Sequence, residues 1–242
     1  MADRPPPGVG RKISVVLPAY NEEESIERQV RSVDSVLREF RFEDYEVIVV
    51  DDGSADRTGE ILEGLREEVP KLRTLVHETN RGYAKALATG FGGAAMPLVF
   101  YTDADNQFDI REIKNFLAAI DDYEIVCGFR IYRFDPLSRL ILSWGYNLLV
   151  RILFRIRVRD VDCAFKLFRR EVFDTIHIES DKFFVDTEIL AKASRQKMRM
   201  TEIGVRHFPR EAGESTVRPS HVLSTLREIA SMWVSIVLRG NR

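Results

Sequence analysis

Apolar and polar residues fall in blocks along this chain, and the blocks predict strands and helices in turn. Ile13–Leu17 (ISVVL) is an unbroken apolar run, the pattern of a strand covered on both faces. Pro18 and the polar sequence Ala19-Tyr20-Asn21-Glu22-Glu23 end it. From about Ser25 the period becomes helical, with Ile26, Val30, Val33, Val36, Leu37 and Phe40 on one stripe. Tyr45–Val50 is a second strand, stopped by Asp51-Asp52-Gly53-Ser54. Asp56 is placed to cap a helix through Ile61, Leu62 and Leu65. Leu72–His77 predicts a third strand, Asn80-Arg81-Gly82 a turn, Tyr83 to about Ala95 a helix, and Leu98–Thr102 a fourth strand. Such βα alternation predicts an α/β fold with a Rossmann-like parallel sheet and right-handed crossovers.

Further along, Tyr123–Phe129 predicts a fifth strand ending at Arg130, and Pro136 opens a helix to about Phe154. Asp160 to Phe168 reads as a loop entering a sixth strand, Phe183–Ala193 as a helix, and Met198–His207 as a last strand. His207 to Thr216 is a polar loop long enough to act as a lid, with His207 an ordinary loop residue. A helix over about His221–Arg239 carries Val222, Leu226, Ile229, Trp233 and Ile236/Val237 on one face. Residues 1–12 read as a disordered lead-in, 13–218 as one α/β domain, and 219–242 as an amphipathic C-terminal helix.

The polar residues that end the strands carry the candidate chemistry. Tyr20/Glu22, Asp51/Asp52, His77/Asn80 and Asp103/Asp105 all follow strands, so a parallel sheet brings them to one edge. Acids there can accept hydrogen bonds from ribose hydroxyls or base N–H groups, which points to a nucleotide. It is no standard dinucleotide or P-loop site, since GxGxxG and GxxxxGK[ST] are both missing. Asp103 and Asp105 stand at i and i+2 just past the fourth strand, and Gln107 adds a neutral oxygen. Mg²⁺ and Mn²⁺ favour such ligands and share them with substrate phosphates. Turn chemistry is the competing reading, with Asp109 as cap of a helix from Ile110.

Composition adds a soluble globular character, with 45% hydrophobic and 31% charged residues. A net charge of −2 excludes a whole-chain polyanion binder, so no nucleic-acid partner is expected. The charge is uneven, however. Arg130, Arg133, Arg139, Arg151, Arg155, Arg157 and Arg159 face one acid, Asp135, in a stretch rich in Leu, Ile and Phe. Basic plus apolar suggests a membrane surface or an anionic lipid-like ligand, against the alternative of arginines snorkelling from an ordinary helix. On the predicted helix Arg139, Ser143, Asn147 and Arg151 recur every four residues and share a face. Arg130 and Arg139 can together grip a phosphate. No run reaches the roughly 18 apolar residues of a membrane span, so the expected contact is peripheral, on the cytoplasmic membrane face. Cys127 and Cys163 read as reduced core thiols, and the N-terminus has no signal-peptide pattern. Asp186 and Glu188 near a helix start serve the helix dipole or a site.

PAYNEEE, VVDDGSADRT, NRGYAKA, DADNQ and FKLFRR occur in that order between about Ile13 and Thr216. In these motifs the chain resembles the family 2 glycosyltransferases of GT-A fold, in particular polyprenyl-phosphate hexose synthases such as dolichol-phosphate mannose synthase. The resemblance implies a nucleotide-sugar site formed by Pro18, Tyr20, Glu22, Val50 and Asp51/Asp52. It implies Asp103, Ala104 and Asp105 on the sugar and diphosphate, and Asp105 with Gln107 on Mg²⁺ or Mn²⁺. It also implies Arg210 on the donor, and Arg130, Arg139 and Ser143 on the acceptor phosphate. Thr216 stands where some relatives have lysine, Ala164 where glycine is usual, and Asp186 where mannose synthases tend to be uncharged. The donor therefore stays open between UDP- and GDP-sugars. The C-terminal membrane spans of many relatives are lacking in this sequence.

The expected reaction is an inverting transfer of a hexose to a polyprenyl phosphate such as dolichyl or undecaprenyl phosphate. A phosphate nucleophile needs no base; a hydroxyl of a soluble glycan or natural product would need one, with Asp186 the candidate. A sugar-1-phosphate nucleotidyltransferase would carry a Gly-rich loop where PAYNEEE stands. A non-catalytic membrane-associated sugar-nucleotide binder is the alternative of another class. A homo-oligomer or an integral-membrane partner stays open.

Overall fold

The unbroken apolar runs form the middle of a single sheet, because only a strand covered on both faces is apolar on both. The structure is a computed structural model that describes residues 6–131, 137–180, 184–209 and 222–238. Its strands are β1 (Lys12–Ala19), β2 (Asp44–Asp51), β3 (Leu72–Val76), β4 (Leu98–Thr102), β5 (Ile125–Arg130), β6 (Phe165–Arg169) and β7 (Met200–Val205). They form a seven-stranded sheet in the order β3-β2-β1-β4-β6-β5-β7. The described helices are α1 (Ile26–Glu39), α2 (Thr58–Glu68), α3 (Tyr83–Gly93), α4 (Ile113–Ala119), α5 (Leu137–Phe154), α6 (Val172–Thr175), α7 (Val185–Arg195) and α8 (Val222–Trp233).

The stripe expected on α1 is the buried one: Ile26, Val30, Val33, Val36 and Leu37 all lie in the core. The N-cap of α2 is Arg57 rather than Asp56, but the Asp56 side chain accepts from the Thr58 backbone N–H at 3.0 Å and so still tethers the helix start from one residue earlier. β6 runs antiparallel to both neighbours, β4 and β5, while the other pairs are parallel. This reversal places the residues just before β6 beside the carboxyl ends of β4 and β5. The loop from Asp160 to Ala164 therefore meets the same edge as the strand-end acids.

Aromatic rings close the core where β4 and β6 pair. Phe165 packs on Phe100, Phe116 and Phe108, with centroids 4.6, 5.0 and 5.5 Å apart. On the other face Phe91 meets Tyr101 and Phe173 at 5.6 and 4.4 Å. Cys127 and Cys163 are free and buried. Burial pushes the Cys127 thiol up to about 12, the behaviour of an inert core thiol. After α8 the chain widens into one π-helical turn, Val234–Leu238. Ile229 and Ile236 of this C-terminal segment are buried. No helix among the described residues is long and apolar enough to cross a membrane.

Candidate active site

The carboxyl ends of β1 and β2 are level, since Ala19 pairs with Asp51. Both acids at the end of β2 are buried and already engaged. Asp51 accepts from the Ser54 N–H at 2.9 Å. Asp52 accepts from the Arg81 and Gly82 N–H groups at 2.9 and 2.7 Å and lies 2.6 Å from His77 Nδ1. The turn that permits this contains Gly53 (φ 71°), where a Cβ would sit 2.6 Å from the Thr79 backbone. Asp52 thus holds the loop from His77 to Gly82 over the strand ends, a bracing role beside any contact with a donor. Glu22 accepts from the Ser25 hydroxyl at 2.7 Å, and its N–H donates to Thr58 Oγ1 at 2.9 Å. Pro18 and Val50 are register partners within β1 and β2, and Tyr20 projects from the edge, 45% exposed.

β4 delivers Asp103, Ala104 and Asp105 to the same edge. The Tyr83 hydroxyl donates to Asp103 Oδ1 at 2.9 Å, and Gln29 Nε2 donates to the Asp103 carbonyl at 3.1 Å. Burial, with the charge of Asp105 next, pushes the Asp103 carboxyl up to about 7. Asn106 takes the left-handed conformation (φ 58°) and donates to the Ser25 carbonyl at 3.0 Å. Asp105 accepts from the Gln107 N–H at 3.1 Å. Gln107 Nε2 donates to the Phe208 carbonyl at 3.0 Å, which leaves Oε1 as the side chain's acceptor. Asp109 accepts from the Arg111 N–H at 3.0 Å as the cap of a short 3-10 turn. It is a cap, as the turn reading held.

This donor set fits a hard divalent cation. Asp103 and Asp105 are half-buried neighbouring carboxylates that repel each other, and a cation between them would relieve that repulsion. No group of three or more His, Cys, Asp or Glu side chains among the described residues could hold a metal alone. The set suits an ion that keeps water and substrate phosphate in its shell.

The loop before β6 and the start of α7 bring a second layer of charge. Lys166 is fully buried on β6 and donates to Asp186 Oδ1 at 2.7 Å, the Cys163 carbonyl at 2.6 Å and the Tyr101 hydroxyl at 3.1 Å. Tyr101 also donates to Asp186. Burial disfavours the Lys166 ammonium, but the Asp186 carboxylate outweighs it and holds the lysine charged. Asp186 is thus half of a buried ion pair. Glu188 serves the protein locally, pairing with Lys192 at 2.9 Å and accepting from the Glu179 and Ser180 N–H groups. Asp162 is pushed up to about 7, by burial first and by the charges of Asp186 and Asp160 next.

At the end of β5, Arg130 forms a two-pronged pair with Asp160, Nε and Nη2 each donating at 2.7 Å. Its pKa is raised: burial opposes the charge, and Asp160 more than compensates. α5 crosses this end of the sheet. Asn147 fastens it there by donating to the Ser143 carbonyl at 2.8 Å and accepting from the buried Val161 N–H at 2.7 Å. Ile141, Leu142, Trp144 and Ile152 of α5 remain exposed. Ser143 lies on α5 and Arg139 on its backbone; the side chain of Arg139, and Arg210 with the rest of the proposed lid to Thr216, fall outside the described residues.

The structure therefore gathers Tyr20, Glu22, Asp51, Asp52, Asp103, Asp105, Gln107, Arg130 and Asp186 at one edge. Sequence reasoning did not single out Lys166, Tyr83, Tyr101, Asp160 or Asp162. A lysine inside the apolar strand FKLFR was the available signal, because a buried ammonium requires an acid partner. His207 forms an isolated bridge with Phe108 and packs on its ring at 5.0 Å, a structural rather than ligating position.

Comparison with known proteins places this geometry. A family model described as Glycosyl transferase family 2 matches residues 14–177. The chain is 33% identical to glycosyltransferase AglD of Haloferax volcanii over 95% of its length, spanning 38% of that protein. It is 31% identical to a dolichyl-phosphate beta-glucosyltransferase of Dictyostelium discoideum, over 80% of this chain and 65% of the relative. It is 28% identical to an undecaprenyl-phosphate 4-deoxy-4-formamido-L-arabinose transferase of Yersinia enterocolitica, over 95% and 69%. The chain thus spans less than two thirds of the first two. Among solved structures, it is similar to glucosyl-3-phosphoglycerate synthase from Mycobacterium tuberculosis in complex with Mn²⁺, uridine diphosphate and glucosyl-3-phosphoglycerate. The TM-score is 0.67 at 21% identity, covering 95% of this chain and 81% of that one. The shared architecture is the GT-A fold. The chain belongs to glycosyl transferase family 2.

Proposed function

We propose that this chain is a metal-dependent inverting glycosyltransferase that moves a hexose from a UDP- or GDP-sugar to a polyprenyl phosphate at a membrane surface. One observation carries the reading. A cluster of acids, Asp51, Asp52 and Asp186 among them buried, shares one sheet edge with the half-buried Arg130, and the helix beside that arginine exposes large apolar side chains. The relatives named for dolichyl- and undecaprenyl-phosphate support the acceptor class. The solved relative with Mn²⁺ and uridine diphosphate supports a divalent ion and a nucleotide donor.

In this reading Asp51, Asp52, Tyr20 and Glu22 frame the nucleoside, with Pro18 and Val50 beneath, and Asp103 and Ala104 face the sugar and diphosphate. Asp105 and Gln107 would hold Mg²⁺ or Mn²⁺, which when bound offsets charge on the leaving diphosphate. Arg210 is proposed to add to that from the lid. Arg130, Arg139 and Ser143 orient the acceptor phosphate, already ionised at neutral pH. Its oxygen forms the new bond to the anomeric carbon as the carbon–oxygen bond to the diphosphate breaks on the opposite side. No base is needed. A hydroxyl acceptor would need one, and Asp186 is poorly suited, being paired with Lys166 and hydrogen-bonded by Tyr101. The site belongs at the cytoplasmic face, with the chain held peripherally.

The test is transfer from a panel of UDP- and GDP-hexoses to a polyprenyl phosphate, with Mn²⁺, with Mg²⁺ and with EDTA. Lipid-linked sugar from one donor class, lost in EDTA, is the expected result. Transfer only to a soluble acceptor, or metal-independent transfer, contradicts the proposal.

A further inference from the structure

Asp186 is an acid whose place the proposed reaction does not explain. It is 4% exposed in the first turn of α7, where the Tyr146 and Thr187 hydroxyls share a hydrogen bond that ties the helix start to α5. Both of its donors meet one oxygen. Lys166 Nζ, at 2.7 Å, and the Tyr101 hydroxyl donate to Oδ1, and Lys166 also donates to the Tyr101 hydroxyl at 3.1 Å. Oδ2 takes no hydrogen bond from a described residue. It is not sealed in, because among the described residues the buried side-chain atoms without a partner are Thr74 Oγ1 and Thr102 Oγ1. Asp103 repeats the arrangement from the end of β4. Tyr83 donates to its Oδ1 at 2.9 Å, and its Oδ2 takes no hydrogen bond from a described residue. The two acids are neighbours in space, since the Asp186 charge bears on both Asp103 and Tyr83.

Two open carboxylate oxygens, delivered by β4 and α7, call for a ligand that donates hydrogen bonds. The charge of Asp186 is already met by Lys166, so its spare oxygen suits a neutral hydroxyl rather than a further cation. A carboxylate paired in this way is a poor base and a well-oriented acceptor. We infer that Asp186 is a specificity-determining residue for the donor sugar: its Oδ2 accepts one hydroxyl of the hexose, while Asp103 Oδ2 accepts another. Lys166 and Tyr101 are positioning residues, which hold Oδ1 and so turn Oδ2 toward the sugar. The pair selects a hexose with both hydroxyls free. A sugar deoxygenated or methylated at either place leaves a carboxylate oxygen desolvated and unmet. This rests on the proposal above that the pocket holds a nucleotide-hexose with Asp103 on its sugar.

The test is calorimetric titration of the full chain, in Mn²⁺, with the nucleoside diphosphate, the preferred nucleotide-hexose and its monodeoxy analogues. The parent should bind two of the monodeoxy donors about ten- to a hundredfold more weakly than the intact donor. Asp186→Asn keeps the side-chain shape and puts an amide N–H₂ where Oδ2 stood. It should bind the intact donor more weakly by a similar factor, bind the nucleoside diphosphate as the parent does, and cease to discriminate against one of those two analogues. The other analogue, read by Asp103, should stay penalised. Lys166→Met with Asp186→Asn, which leaves no unpaired charge in the core, should give the same pattern. A parent that tolerates every monodeoxy donor overturns the inference without any variant. So does parent-like affinity for the intact donor in Asp186→Asn, or discrimination kept against both analogues. Equal loss of nucleoside diphosphate and donor binding in both variants overturns it too, by making Asp186 structural. Failure of the parent to bind any nucleotide-hexose would instead defeat the proposed function, and the inference with it.

Discussion

The two sides of the sheet's carboxyl edge are built on opposite plans. On the side of β1, β2 and β4 the polar groups are spent on the protein itself. Asp52 braces the loop from His77 to Gly82, and Tyr83 and Gln29 hold the strand end at Asp103. On the α5 side, large apolar and cationic groups face outward, and Asn147 is a buried polar tether. The first side is a preorganised pocket, which suits a rigid polar ligand arriving from water. The second is a surface whose exposed apolar groups call for an apolar partner. The difference is that expected of an enzyme joining a soluble sugar donor to a lipid.

The comparison breaks most sharply at the acids. Asp105→Ala should lower transfer by at least about a thousandfold by removing the proposed metal ligand, with the circular dichroism spectrum unchanged. Retained turnover would remove the metal from the account. Next comes the charge beneath both sides. Lys166→Met leaves Asp186 buried without its partner and should cost about 3 to 5 kcal/mol in urea unfolding. Adding Asp186→Asn should recover much of that loss, since the penalty is the uncompensated charge.

Asp162 tests the electrostatics more gently. Its folded pKa of about 7 lies above the ordinary carboxyl value of 3.8. The stability it lends is fully present below that ordinary value and is lost as pH rises through about 7. Asp162→Asn should therefore match the parent at pH 4 and exceed it at pH 8 by roughly 1 to 2 kcal/mol, a few degrees in Tm. The smallest effect on stability belongs to the outward face. Ile141→Ser with Ile152→Ser should leave the unfolding free energy within about 0.5 kcal/mol, because both side chains are already exposed. Vesicle co-sedimentation should nevertheless weaken by about tenfold.

Much of this molecule was legible in its sequence where one physical rule sufficed. Continuous apolar runs marked β1, β2 and β4, and the helical stripe marked α1, because burial on two faces or on one leaves different periods. The acids past those strands converged because parallel strands end on one edge. The direction of β6 was not legible: side-chain alternation is the same whichever way a strand runs, and only pairing sets its sense. That reversal brings Asp160 and Asp162 to the edge. Partnerships across the chain were hidden for a related reason. Asp186 read as a free acid near a helix start until Lys166, 20 residues earlier, was found against it. Arg130 read as a free phosphate ligand until Asp160 was found in its fork, 30 residues later.

The claim that the acceptor is a phosphate carried by a lipid meets its most direct test in a pair of acceptors with the same tail. Polyprenyl phosphate and the corresponding polyprenol are supplied with the preferred nucleotide-sugar and Mn²⁺, and lipid-linked sugar is measured. The account predicts transfer to polyprenyl phosphate and none to polyprenol, because the proposed nucleophile is a phosphate oxygen, ionised without a base. Transfer to polyprenol at a comparable rate would contradict it.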